Sequence, residues 1–158
     1  MQPKIICYGE TLWDIFPDKK VIGGAPLNLA LRLHSLGARS AIISRIGKDQ
    51  DGDNLVQYLK KESFDPSLIQ YDEQLSTGNV QVHLDKHNTA SYTISEPVAW
   101  DQISIDKNAI GQVAKADAFI FGSLCCRNKV SRNTLFEYLS LAKFKVFDAN
   151  LRPVSYTH

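Results

Sequence analysis

The densest cluster of chemically useful residues is Gly23-Gly24-Ala25-Pro26-Leu27-Asn28. Paired glycines let backbone come close to a bound group, and a helix starting just after them offers free N–H donors. Asn28, one turn into such a helix, both donates and accepts hydrogen bonds. The combination suits a polyhydroxylated ligand; it equally suits a tight turn ahead of a buried helix. Glu10 and Asp14 follow the first apolar run. A carboxylate at the C-terminal end of a strand lies where open α/β sheets bind ligands, and it can accept hydrogen bonds from two hydroxyls. Read in isolation, such an Asp is also an ordinary solvated turn charge. Other motifs are missing. No Gly-x-Gly-x-x-Gly and no Gly-x-x-x-x-Gly-Lys-[Ser/Thr] occurs, and Gly47-Lys48 runs into Asp49. His34, His83, His87 and His158 have no metal-ligand spacing, so no metal site is expected. Cys7, Cys125 and Cys126 form no framework of spaced pairs, which fits packing roles in a reducing compartment.

These residues need a scaffold. Residues 4–8, 41–46, 118–121 and 144–147 are short apolar runs closed by Gly9, Gly47, Gly122 and Asp148. Such runs read as parallel strands buried on both faces. Helices are predicted over 26–36, with Pro26 in the first turn and Gly37 just beyond, and over 52–62. A third runs from a Ser131 cap to about Ala142. Leu27, Ala30, Leu31, Leu33 and Leu36 would face inward on the first, Leu55, Val56 and Leu59 on the second, and Leu135, Leu139 and Ala142 on the third. Strands alternating with helices argue an α/β fold with a parallel sheet. Two segments break the rhythm. Residues 11–22 read as a short hairpin turning at Pro17-Asp18-Lys19-Lys20. Residues 79–95 alternate, with Val80, Val82 and Leu84 opposite in sense to Gln81, His83 and Asp85. They turn at Lys86-His87-Asn88-Thr89 and resume at Tyr92 and Ile94. Together they read as a small separate antiparallel sheet, a flap on the core.

Composition narrows the class. The chain has 158 residues, 44% of them hydrophobic, enough for one domain with a sizeable core. Lys+Arg 18 against Asp+Glu 17 leaves a formal charge of +1, no field for a polyanion, so no nucleic-acid partner is expected. No apolar run approaches the ~20 residues of a membrane span. With no long apolar stretch after Met1, a cytoplasmic location is expected.

Residues 23–47, GGAPLNLALRLHSLGARSAIISRIG, resemble the first signature of the ribokinase-like (PfkB) carbohydrate kinases, with Gly23, Gly24, Asn28, Ala30, Gly37 and Gly47 on its pattern. The opening IICYGETLWDIFP is similar to the family's first strand and substrate Asp. Gly47-Lys48-Asp49 with Asp51-Gly52 resembles its Gly-x-Asp-x-x-Gly turn, and Ser76-Thr77-Gly78 the start of its lid strands. Asp148-Ala149-Asn150-Leu151-Arg152 resembles the Asp-x-Asn-x-Arg segment of the fructokinase branch. The resemblance implies a Rossmann-like parallel sheet with flanking helices, plus a small antiparallel β lid. Core segments would be 1–10, 23–76 and 99–158, and lid strands 11–22 and 77–98. It implies ATP-dependent phosphorylation of a sugar hydroxyl, with ATP and Mg2+ as cofactors of the full-length family. Asp14 would hydrogen-bond the sugar, Gly23 and Gly24 line it and Asn28 bind it. Asn150 and Arg152 would reach toward the cofactor phosphates. Pairing of two copies through the lid is also implied.

One departure qualifies this. The family's second signature, Asp-Thr-x-Gly-Ala-Gly-Asp, supplies the anion hole and the catalytic base, and this sequence contains no such segment; no glycine follows Gly122. The expectation is therefore the N-terminal portion of a fructokinase-like kinase, carrying no catalytic residue, holding ATP unproductively and inactive alone. Such a portion would self-associate through the lid or an open sheet edge. The alternative is a non-enzymatic sugar-binding or regulatory module acting through lid-mediated pairing. Calorimetry with hexoses separates such a module from an inert fragment.

Overall fold

The computed structural model of the chain describes residues 2–84 and 90–150. In order the elements are β1 (Lys4–Tyr8), β2 (Leu12–Ile15), β3 (Lys20–Gly23), α1 (Ala25–Ser35), β4 (Arg39–Gly47), α2 (Gln50–Lys61), β5 (Ile69–Asp72), β6 (Gly78–Leu84), β7 (Ala90–Ile94), α3 (Lys107–Ala114), β8 (Ala118–Gly122), α4 (Lys129–Leu141) and β9 (Lys145–Asp148). Five strands form a parallel sheet in the order β5-β4-β1-β8-β9. Side chains of β1 alternate between its two faces. Ile6 and Tyr8 pack with Phe119, Leu135 and Tyr138, while Cys7 packs with Leu27, Ala30, Leu55 and Leu59. Burial on both faces is why these strands read as unbroken apolar runs. Each fully buried Leu or Ile contributes about 1.5–3 kcal/mol relative to exposure.

The chain steps from β1 outward to β4 and β5, then returns to β8 and β9 on the other side of β1. The connections diverge at β1, and the crevice beyond its C-terminal end is where such sheets take ligands. The second sheet has the order β3-β2-β6-β7. It contains the two expected hairpins but is mixed, not antiparallel, because β2 and β6 pair in parallel with Leu12 opposite Gly78. The chain leaves this sheet after β3 and re-enters it at Gly78 running in the direction of β2, which fixes that sense.

Boundaries moved for local reasons. Lys20 pairs with Ile15, so the first hairpin closes through the Phe16 N–H to the Lys19 carbonyl at 2.8 Å. The turn read at Lys86-His87-Asn88-Thr89 lies outside the described residues. Ser131 is no cap. The helix starts earlier, with Asn128 accepting from the Val130 N–H, and Ser131 is buried one turn in. There it donates to the Trp100 carbonyl at 2.7 Å and accepts from the Ile103 N–H at 2.9 Å. Leu36 was expected inward and is 68% exposed, because α1 ends at Ser35 and Leu36 caps it.

Two hydrogen-bond networks, each built on a carboxylate, tie the second sheet to the core. Asp49 caps α2 by accepting from the Gly52 N–H and reaches Thr77, accepting from its N–H at 2.8 Å and its hydroxyl at 2.7 Å. Thr77 immediately precedes β6, so this carboxylate anchors the start of that strand. Beyond β7, Arg127 donates twice to the fully buried Asp101 and once to the Ser95 carbonyl, and its guanidinium stacks 4.0 Å from the Trp100 ring centroid.

Candidate functional site

An open cavity of about 200 Å³ lies between the mixed sheet and the C-terminal ends of the parallel strands. Each wall follows from local sequence. Gly24 has φ +103°, and a Cβ there would stand 2.4 Å from the Glu10 carbonyl oxygen, so only glycine lets the start of α1 press against the loop leaving β1. That contact sets Asn28, one turn along α1, into the cavity. Gly23 is not among the lining residues. Its role is behind the wall, where a Cβ would come 2.4 Å from Asp14 Oδ2, so its bareness is what seats the Asp14 carboxyl.

Asp14 projects into the cavity from β2, and Asn150 reaches its rim from just past β9. Five of the seven residues singled out from sequence thus meet around one space: Glu10, Asp14, Gly24, Asn28 and Asn150 line it. Gly23 stands behind Asp14, and Arg152 lies outside the described residues. The roof was only half read. Val80, Tyr92 and Ile94 line the cavity from β6 and β7, and the registers Val80 to Ile94 and Val82 to Tyr92 put these side chains on one face. The alternation carried that signal. Ser123 and Leu124, which close the far side after β8, had none, since a single 3-10 turn leaves no periodicity. The space therefore has apolar patches interleaved with carboxyl, amide and hydroxyl groups, a lining suited to a small molecule with both C–H faces and hydroxyls.

Glu10 is the electrostatic outlier of the site. It lines the cavity yet is 3% exposed, and its Oε2 has no hydrogen-bond partner among the described residues. Burial pushes its carboxyl up to about 7. The N–H groups of Glu10 and Ala25 and the Arg127 guanidinium pull it down, while Asp148 pushes it further up. Cys125 and Cys126 follow the lining residues Ser123 and Leu124 in the turn after β8. The hydrogen bond between them lowers the Cys126 thiol and raises that of Cys125. Among the described residues no group of three His, Cys, Asp or Glu side chains is placed to hold a metal ion, and no helix is long and apolar enough to cross a membrane.

A parallel sheet whose connections diverge beneath a second, mixed sheet, with a cavity between them, defines an α/β protein with a crevice at its switch point. The chain belongs to the pfkB family of carbohydrate kinases, whose model matches residues 2–158. It is 33% identical to a sugar kinase of Pyrococcus horikoshii over 144 residues, covering 89% of this chain and 46% of that protein. A fructokinase of Vibrio alginolyticus is 29% identical, with 91% and 50% covered. The Pyrococcus horikoshii kinase solved in complex with ATP superposes with a TM-score of 0.83 at 30% identity, covering 96% of this chain and 55% of that one. The chain spans about half the length of the curated relatives it matches.

Proposed function

We propose that this chain is the sugar-binding portion of a fructokinase-like, ATP-dependent sugar kinase, and that the cavity under the mixed sheet receives the sugar. The observation that carries the reading is the convergence of Asp14, Gly24 and Asn28 on one cavity at the switch point of the sheet. In this reading Asp14 accepts hydrogen bonds from two sugar hydroxyls, and Asn28 donates to one and accepts from another. Val80, Tyr92 and Ile94 cover the C–H face of the ring and exclude water.

ATP supplies the phosphoryl group when bound, and Mg2+ offsets its charge. The residues described here fit only the margin of such a group. Asn150 lines the rim, and the glycine-rich anion hole and base of the family are not in this sequence. No transfer step is derived through this chain. The chain alone is accordingly proposed to bind sugar without turning it over. A coupled assay with ATP and D-fructose should read no turnover above background, while D-fructose should release or absorb heat in calorimetry. Ordinary turnover contradicts the first half of the proposal; absence of heat contradicts the second.

A further inference from the structure

We propose that Glu10 is a ligand-contacting, specificity-determining residue of the cavity: it holds a proton and donates it in a hydrogen bond to an oxygen of the bound sugar. The inference rests on the sugar-binding reading above and adds a residue and a proton to it. Glu10 lines the same cavity as Asp14 and Asn28, from the loop that follows β1, where the connections of the sheet diverge. At 3% exposure, an Oε2 without a partner among the described residues is an expensive arrangement for a side chain that packing alone does not require.

The surroundings choose the protonated form. Asp14 lines the same cavity from β2, and the Cys125 thiol after β8, itself raised, stays uncharged; burial and Asp148 at the end of β9 favour the neutral form. Arg127 and the Ala25 N–H at the start of α1 oppose them. Arg127 is already committed to Asp101 through two hydrogen bonds. Burial decides the balance and keeps the proton on up to about pH 7. Asp14 offers a polyol an acceptor; a neutral Glu10 offers it a donor. The pair can therefore tell a hydroxyl that must donate from a ring or carbonyl oxygen that must accept. A site built on such donors and acceptors rejects analogues lacking the matching atom.

The test is calorimetric titration of D-fructose into the wild-type chain, Glu10→Gln and Glu10→Ala from about pH 5.5 to about pH 8.5. Wild-type affinity should be level on the acid side and fall roughly tenfold per unit once the pH exceeds about 7. Glu10→Gln keeps an N–H donor of similar reach and should bind with the acid-limb affinity at every pH. Glu10→Ala should bind about tenfold more weakly, again without pH dependence. Clear fructose binding with a flat wild-type profile overturns the inference and leaves the sugar-binding reading standing. A Gln variant that retains the wild-type slope overturns it equally. No heat with wild-type protein at any pH overturns the sugar-binding reading, and this inference with it.

Discussion

Protonation of Glu10 is also linked to folding. Its carboxyl is raised from 4.5 to about 7 by burial. A group raised on folding stabilises fully below its unfolded value and loses that contribution as pH rises through its folded value. The stability of the chain should therefore fall between about pH 4.5 and pH 7. At about 1.4 kcal/mol per unit the loss is on the order of 3 kcal/mol. Urea unfolding across this range should show that slope, and Glu10→Gln should flatten it and be the more stable protein above pH 7. A second residue-scale prediction concerns the thiols. Cys7 is buried and pushed up to about 12, Cys125 is raised, and Cys126 is half-buried and lowered to about 7. Maleimide at neutral pH should label Cys126 first and leave Cys7 unmodified in the native state, as peptide mapping will read.

At the scale of elements, the anchors of the mixed sheet matter most. Burial pushes the Asp49 carboxyl up, but hydrogen bonds from Thr77, Gly52 and Asp51 outweigh it and hold the group below the ordinary carboxylate range. Such a depressed group stabilises above its unfolded value and stops doing so in strong acid. Asp49→Ala removes a helix cap and both bonds to Thr77 together. It should cost about 1–3 kcal/mol in urea unfolding, with faster hydrogen exchange at Thr77 and along β6. What the sequence revealed at this scale follows from periodicity. The strands β1, β4, β8 and β9 and the helices α1 and α2 announced themselves as closed apolar runs or stripes. By contrast, β5 and α3 went unread. The first is four residues with Gln70 and an exposed Tyr71, an edge strand with little apolar signal; the second has only eight residues and buries only Ala109 and Val113. The parallel pairing of β2 with β6 joins segments more than sixty residues apart, and no local pattern encodes it. In the candidate site, the motif and the geometry bring Asp14 and Asn28 to one cavity. The place of Gly23 behind the Asp14 carboxyl depends on pairing across the β2–β3 hairpin, which no local pattern encodes.

For the molecule as a whole, the parallel sheet ends at β9, whose outer side pairs with no strand among the described residues. Phe144 just before β9 and Phe147 within it are 63% and 56% exposed, and Phe136 on α4 is 60% exposed. An unpaired edge strand together with exposed aromatic rings invites association. Sedimentation velocity should show concentration-dependent association, reduced by Phe147→Ser; a monomer at every concentration contradicts this. The central claim is that the cavity at the switch point is the sugar site. Amide spectra of the labelled chain titrated with D-fructose test it most directly. The account predicts shifts concentrated at Gly24, Ala25, Asn28 and Tyr92, abolished by Asp14→Ala, with Leu55 and Leu59 on α2 unmoved. Shifts absent, or centred away from these residues, would contradict it.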